Sequence, residues 1–369
     1  MTDRRTFWFE GREIEASAGQ SLAGALHAAG VRTLSWSPKY RRPRGLRCGI
    51  GVCPGCTLAV DSLGGVQACM TPVQGGERVE RIRPWLAWLP ADRLGRFAPA
   101  GFHGSRWLRP PRVWAVAERV LARLAGQAPI PGTGAVGVGP ATPGFETRTT
   151  DLLVIGAGRT GLAAATDAAL AGRSVLLVDR DHEAGGRLLD EPGGRDIADH
   201  MLAAARHAGV EGLLSSVAVG SFDDGVHGVV HAGGLIAVTT GDTRYATGSI
   251  GREVALPDGD RPGVMQATAI RRLIVRERVR PGLRAVIVER SGASDGLADL
   301  LAGAGTTVVA RCAASDVVAI HGRREVRGVT LRSGRIRADV VAIDVGERPA
   351  DELARQADVP EEPRVAMEP

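Results

Sequence analysis

The sequence predicts a multidomain protein of mixed class, α/β and α+β, and three observations predict it. The chain has 369 residues, 44% of them hydrophobic, enough for two or three cores at about 150 residues per domain. Four of its five cysteines crowd between Cys48 and Cys69. A glycine-rich turn opens at Gly156 between two apolar runs, the usual grammar of a parallel nucleotide-binding sheet. The expected order is a cysteine-bearing domain over residues 1–84, a connector over 85–150, a nucleotide domain over 151–270 with 335–369, and a second nucleotide-type domain over 271–334.

Charge separates the same pieces. Residues 1–150 carry 20 basic and 10 acidic side chains, and residues 151–369 carry 26 and 31. A basic front and an acidic back imply modules with different surroundings. The high pI of about 9.3 does not indicate nucleic acid. Lys39 is the one lysine among 46 basic residues, and aromatic residues are not interleaved with the basic run 39–47 beyond Tyr40. No apolar run approaches the roughly 18 residues a spanning helix needs. The start MTDRRTFWFEGRE has no apolar signal core, so the expected location is the cytoplasm, or the inner membrane face as a peripheral site.

In the front domain, Phe7 and Phe9 alternate with polar neighbours, Glu10-Gly11 suits a hairpin turn, and Ile14 continues the alternation. Ser17 is the expected cap of a helix whose apolar face is Leu22, Ala25, Leu26 and Ala29, ending before Gly30. Beyond the cysteine loop, TLAVDSLGGVQAC reads as two strands joined around Gly64-Gly65, with Cys69 on the second. This order resembles the β-grasp ferredoxin fold.

Cys48, Cys53, Cys56 and Cys69 stand as C-x4-C-x2-C-x12-C. In a reducing compartment such clustering means metal or redox chemistry. The x4 and x2 gaps are the plant-type spacing for a 2Fe-2S cluster, in which one loop supplies three thiolates and a later segment the fourth. Gly49, Gly51 and Gly55 let the loop wrap closely and turn N–H groups toward sulfur. A structural zinc site is the rival, and it prefers paired C-x2-C units. The five cations between Lys39 and Arg47 read either as a solvated loop offsetting an anionic cluster or as a docking surface.

The connector holds four of the six tryptophans, then Val113, Ala117, Val120, Leu121 and Leu124 at helical spacing, then a Gly/Pro-rich linker. Its aromatics suit packing between domains or a partner subunit.

The back half opens on the sharpest nucleotide signal. Leu152 to Ile155 form a buried strand, Gly156, Gly158 and Gly161 occupy G-x-G-x-x-G, an Ala-rich helix follows, and Val175 to Val178 lead to Asp179. The first glycine permits the turn, the second lets backbone approach a pyrophosphate, and the third allows close helix packing. The helix amino end favours phosphate charge, and Asp179 suits ribose hydroxyls and disfavours a 2′-phosphate. A second strand–helix–strand unit spans Val286 to Ala310, but Ser291 to Ser294 replace its fingerprint, so no working nicotinamide site is expected there. Cys312 reads as a small buried residue.

Further motifs decide between dinucleotides. Gly185-Gly186-Arg187-Leu188 and Ala246-Thr247-Gly248-x3-Arg252 resemble flavin-contacting segments of the two-dinucleotide-binding flavoprotein family, and Gly346 with Pro349 resembles its closing flavin turn without the usual Gly-Asp pair. FAD is therefore the expected cofactor, with NAD as the alternative occupant. The implied contacts are Gly156, Gly158, Gly161, Asp179, Gly186, Arg187, Thr247, Gly248 and Gly346.

Across the chain, RRPRG (41–45), the four cysteines, FAPAGF (97–102), GAGRTGLAAA, GGRLLDE (185–191), ATG-x3-R and DRPGVM (260–265) resemble the α subunits of heteromeric sarcosine oxidase, dye-linked proline and hydroxyproline dehydrogenases, and hydrogen cyanide synthase. DRPGVM is the most group-specific of these. The resemblance implies an electron-transfer subunit of a hetero-oligomer. An FAD-containing β subunit of the glycine or D-amino-acid oxidase type would oxidise the amine, and electrons would pass through FAD and the cluster to an external acceptor. The sequence offers no catalytic acid, base or nucleophile set, which suits that division. The alternatives are a self-contained NADH-dependent reductase and a scaffold subunit with a structural dinucleotide.

Overall fold

In the computed structural model, residues 4–37, 42–61, 63–82, 144–231, 234–290 and 294–357 are described below. The expected connector helix over Val113 to Leu124, and most of the connector with it, lies outside them. The chain divides into two compact units, Met1–Gly137 with Glu253–Gly346 and Val138–Arg252 with Glu347–Pro369.

The first unit joins the cysteine domain to the second nucleotide-type domain. Its β-grasp sheet runs in the order Arg12–Ser17, Arg4–Phe9, Arg78–Arg81, Thr57–Val60, Leu63–Gln67. The first hairpin turns at Glu10 and Gly11, both with positive φ (49° and 78°), as the twist of a two-residue hairpin demands. Phe7, Phe9 and Ile14 point inward against the helix Leu22–Ala28, whose Leu22, Ala25 and Leu26 are fully buried.

Two local expectations change. The helix cap is Ser21, whose Oγ accepts from Gly24 N at 3.1 Å, because Ser17 still belongs to the strand. The second hairpin turns at Asp61, with φ 49°, so Gly64 and Gly65 lie inside a strand and Cys69 lies just past its end. Aspartate tolerates the left-handed conformation and can replace glycine at such a turn.

The other half of this unit is a parallel sheet in the order Val264–Gln266, Val340–Asp344, Arg284–Glu289, Thr307–Cys312, with the helix Asp295–Gly303. A three-stranded antiparallel sheet, Val317–His321, Gly328–Leu331 and Gly334–Ile336, is attached. The boundaries expected from sequence shift here: Val340–Asp344 pairs on both sides within this sheet rather than returning to the first nucleotide domain, and the segment begins at Glu253 rather than 271. An apolar run such as Val340 to Ile343 needs a partner on each edge but does not encode which sheet supplies it. One core runs through the whole unit, from Phe7, Leu58 and Val79 to Ala269, Ile270, Ile287, Leu297 and Ala342.

The second unit is the glycine-loop domain. Glu211–Leu213, Val175–Val178, Leu152–Ile155 and Thr243–Tyr245 form a parallel sheet, with the helices Arg159–Leu170 and Gly194–His207. A second sheet orders Val217–Phe222, Val226–His231, Gly234–Thr240 and Gly144–Thr150. The last seven residues assigned to the connector are therefore a strand of this domain, in keeping with the β-branched residues of TRTT. A ribbon of Ser249–Gly251 and Glu347–Pro349 completes the unit. Among the described residues no helix is long and apolar enough to cross a membrane.

Candidate functional site

The four cysteines come together. Cys48, Cys56 and Cys69 are each 1% exposed and Cys53 is half-buried, all as free thiols. Cys48 pairs with Cys53, Cys56 pairs with Cys69, and Cys48 also reaches Cys69. Hydrogen bonds from the Cys53 and Cys69 thiols, joined by the Ile50 and Val52 N–H groups, hold the Cys48 thiol far below its ordinary pKa. The donated bond to Cys48 pushes Cys53 up, and the bonds to Cys48 and Cys56 do the same for Cys69. Thiols arranged to stabilise negative sulfur, and aimed at by backbone N–H groups, are what an iron–sulfur cluster requires. Among the described residues no three or more His, Cys, Asp or Glu side chains are gathered closely enough to hold a single metal ion.

The loop geometry explains its glycines. Gly49 and Gly51 have φ of 70° and 71°. A Cβ on Gly55 would come within 2.6 Å of the Gly45 carbonyl oxygen. In its described part the basic run is ion-paired within the same unit, with Arg42 and Arg44 still partly exposed. Arg42 pairs with Asp260 at 3.1 Å and Asp258 at 3.4 Å, Arg44 with Asp260 at 3.3 Å, and Arg47 Nε donates to Glu253 at 3.0 Å. RRPRG and DRPGVM are thus two sides of one internal contact, which sequence separation concealed.

The glycine loop forms the second site. Gly156 has φ 112°, and a Cβ there would collide with the Ala246 carbonyl; a Cβ on Gly161 would collide with the Gly156 carbonyl. Gly158 faces open space, with no atom within 4 Å of a Cβ built on it. It begins the 12-residue helix Arg159–Leu170 without a side-chain cap, leaving first-turn N–H groups for an anionic ligand. These residues fit a dinucleotide pyrophosphate.

Asp179 does something sequence did not foresee. Its carboxylate accepts from Ala157 N at 2.6 Å and Asp181 N at 2.7 Å, so it braces the glycine loop, and burial raises its pKa. Gly186, with φ 54°, lies against Gly158, and Gly185 N donates to the Ala157 carbonyl at 2.7 Å. Arg187 pairs with Glu347, and Thr247 Oγ1 donates to the Ala350 carbonyl at 2.5 Å. Gly248 has φ 71° and its carbonyl accepts from Ala350 N. Gly346, with φ 93°, belongs to the first unit.

Residues 3–84 match the 2Fe-2S iron-sulfur cluster binding domain, and residues 151–347 match the FAD dependent oxidoreductase family over more than half of the chain. The chain belongs to the FAD-dependent oxidoreductase family. This oxidoreductase is joined to a 2Fe-2S domain, and its cofactors are the 2Fe-2S cluster and FAD. It is 31% identical over 361 residues to the sarcosine oxidase subunit alpha of Rhizobium meliloti, covering 89% of this chain and 35% of that one. The hydrogen cyanide synthase subunit HcnA of Pseudomonas aeruginosa is 36% identical over 75 residues, 20% of this chain and 71% of that one. The L-proline dehydrogenase of P. horikoshii shares the fold, with a TM-score of 0.71 and 20% identity over 97% of this chain and 63% of that one. The chain spans about a third of the length of the sarcosine oxidase α relative.

Proposed function

We propose that this flavoprotein is the electron-transfer subunit of a heteromeric amino-acid or amine dehydrogenase or oxidase, serving a partner subunit that oxidises the C–N bond. The observation that carries the reading is one chain bearing both a paired four-thiol loop and an uncapped glycine-loop helix. The names of its relatives, sarcosine oxidase subunit alpha and L-proline dehydrogenase, point to secondary amino acids as donors.

Gly156, Gly158 and Gly161 admit the dinucleotide phosphates, the amino end of Arg159–Leu170 binds their charge, and Asp179 holds the loop in register. Gly186, Arg187, Thr247, Gly248 and Gly346 are the proposed remaining contacts. Cys48, Cys53, Cys56 and Cys69 hold the cluster, and the buried cysteine loop keeps water from three of the sulfurs. When bound, FAD accepts two electrons and releases them singly, which a one-electron 2Fe-2S centre requires. The partner is an FAD-containing chain of the glycine or D-amino-acid oxidase type, the assembly is a hetero-oligomer, and an external acceptor takes the electrons. Its place is the cytoplasm or the inner membrane face.

Co-expression with a co-purifying oxidase-like chain, followed by assay of sarcosine, L-proline, hydroxyproline and glycine with an artificial acceptor, tests this. The expected result is donor-dependent reduction of the flavin in this chain only when the partner is present. Rapid bleaching of its flavin by NADH alone would mark a self-contained reductase, and persistence of oxidised flavin during partner turnover would mark a scaffold.

A further inference from the structure

The second nucleotide-type region has lost its glycine fingerprint, yet it packs against the cysteine loop at consecutive residues. Gln266 N donates to the Arg47 carbonyl at 2.8 Å. Thr268 Oγ1 donates to the Cys48 carbonyl at 2.8 Å, with Thr268 itself buried. A Cβ on Gly49 would come within 2.7 Å of the Ala269 Cα, so the loop lies directly on the backbone of the helix Ala267–Arg271. Arg47 reinforces the contact through Glu253 and through the Gly259 carbonyl at 2.5 Å. Residues 47, 48 and 49 are therefore each held by a residue more than two hundred positions away.

We propose that this region is a clamp for the cluster, and that Thr268 is the positioning residue for the first cysteine ligand, Cys48. The inference rests on the reading of the four cysteines as 2Fe-2S ligands. Its physical basis is twofold. The Thr268 hydroxyl satisfies a buried carbonyl beside a ligand, so its loss leaves that group unpaired and loosens the loop. The same hydroxyl dipole lies with its positive end toward the ligand backbone, which favours the more negative, reduced state of the centre.

The test compares the wild-type full chain, Thr268→Val and Thr268→Ser, each reconstituted with iron and sulfide and checked for FAD content. Two readouts apply: bleaching of the cluster absorbance by a ferrous chelator under anaerobic conditions, and the reduced-to-oxidised cluster ratio by EPR at a fixed ambient potential. Thr268→Val is expected to bleach roughly fivefold faster and to show a ratio lower by a similar factor, the size of one ordinary hydrogen bond. Thr268→Ser, which keeps the hydroxyl, is expected to restore both. If Thr268→Val does not retain FAD or fold, Thr268→Ala, which removes the same hydroxyl without adding a branched methyl, is expected to accelerate bleaching with FAD content unchanged. A cluster-loaded Thr268→Val that matches wild type in both readouts overturns the clamp, as does a loaded Thr268→Ala that bleaches at the wild-type rate. A wild-type chain that takes up no cluster overturns the underlying reading of the cysteines instead.

Discussion

Two strand–helix–strand regions of this chain share a topology and differ in what they hold. The first, Leu152–Ile155, Arg159–Leu170 and Val175–Val178, closes its turn on glycines that have no room for a Cβ at Gly156 or Gly161. The second, Arg284–Glu289, Asp295–Gly303 and Thr307–Cys312, places Ala285, Ile287, Leu297 and Leu301 in the same core as Phe7 and Leu58 of the cysteine domain. Neither helix has a side-chain cap; the difference is that the first starts at Gly158, which faces open space, while the second region spends its apolar face on a neighbouring domain. A shared fold therefore says little about function until the turn after the first strand is inspected.

The comparison breaks most visibly if the two cofactors do not separate. Cys56→Ser is expected to abolish most of the bound iron and the cluster absorbance while flavin content stays at the wild-type level, measured by iron analysis and acid-released flavin. Gly161→Ala is expected to do the reverse, because its Cβ meets the Gly156 carbonyl and must displace the loop: FAD binding weakens by about 5- to 150-fold, as a clash of ~1–3 kcal/mol implies, with iron retained. The matching change in the second region, Gly296→Ala, meets nothing closer than Arg271 Nη2 at 4.0 Å. It is expected to leave both cofactors in place and to raise stability by up to about 1 kcal/mol in thermal unfolding.

The unequal legibility of the two regions has a physical origin. Cysteine spacing and G-x-G-x-x-G are short-range demands of bond geometry and close approach, so Cys48 to Cys69 and Gly156 to Asp179 were readable as patterns. The role of Asp179 was not, because the same carboxylate that suits a ribose also reaches Ala157 N. The run Val340 to Ile343 suits a buried strand in either sheet, and its true partners are fixed only by tertiary pairing. Thr268 carried no signal at all, since its bond partner lies 220 residues earlier. DRPGVM did carry one, and its Asp260 proves to be the counter-charge of Arg42 and Arg44.

A further effect, on stability alone, concerns pH. His27, buried with its Nε2 donating to the Pro281 carbonyl at 2.8 Å, has its pKa lowered to about 4 by burial, with Arg32 adding to the shift. Above about 6.5 the ring is neutral in both the folded and unfolded chain. As pH falls from 6.5 toward 4 the unfolded chain takes the proton and the folded chain does not, so stability of the first unit falls by about 3 kcal/mol over that window. Urea unfolding at several pH values is expected to show this slope, and His27→Gln, which keeps a donor for Pro281, is expected to remove it. Smallest of all is Asp260→Ala. Its pairs with Arg42 and Arg44 are partly exposed, so the expected loss is about 0–1 kcal/mol and shrinks with added salt.

The central claim is that one chain relays electrons between FAD and a 2Fe-2S centre, and an anaerobic photoreduction titration of the purified protein tests it most directly, with flavin absorbance and cluster EPR followed together. The account predicts uptake of about three electrons per chain, two by FAD and one by the cluster, with the EPR signal rising as the flavin bleaches. Bleaching of a flavin with no iron–sulfur signal, or a cluster signal from protein holding no flavin, would contradict it.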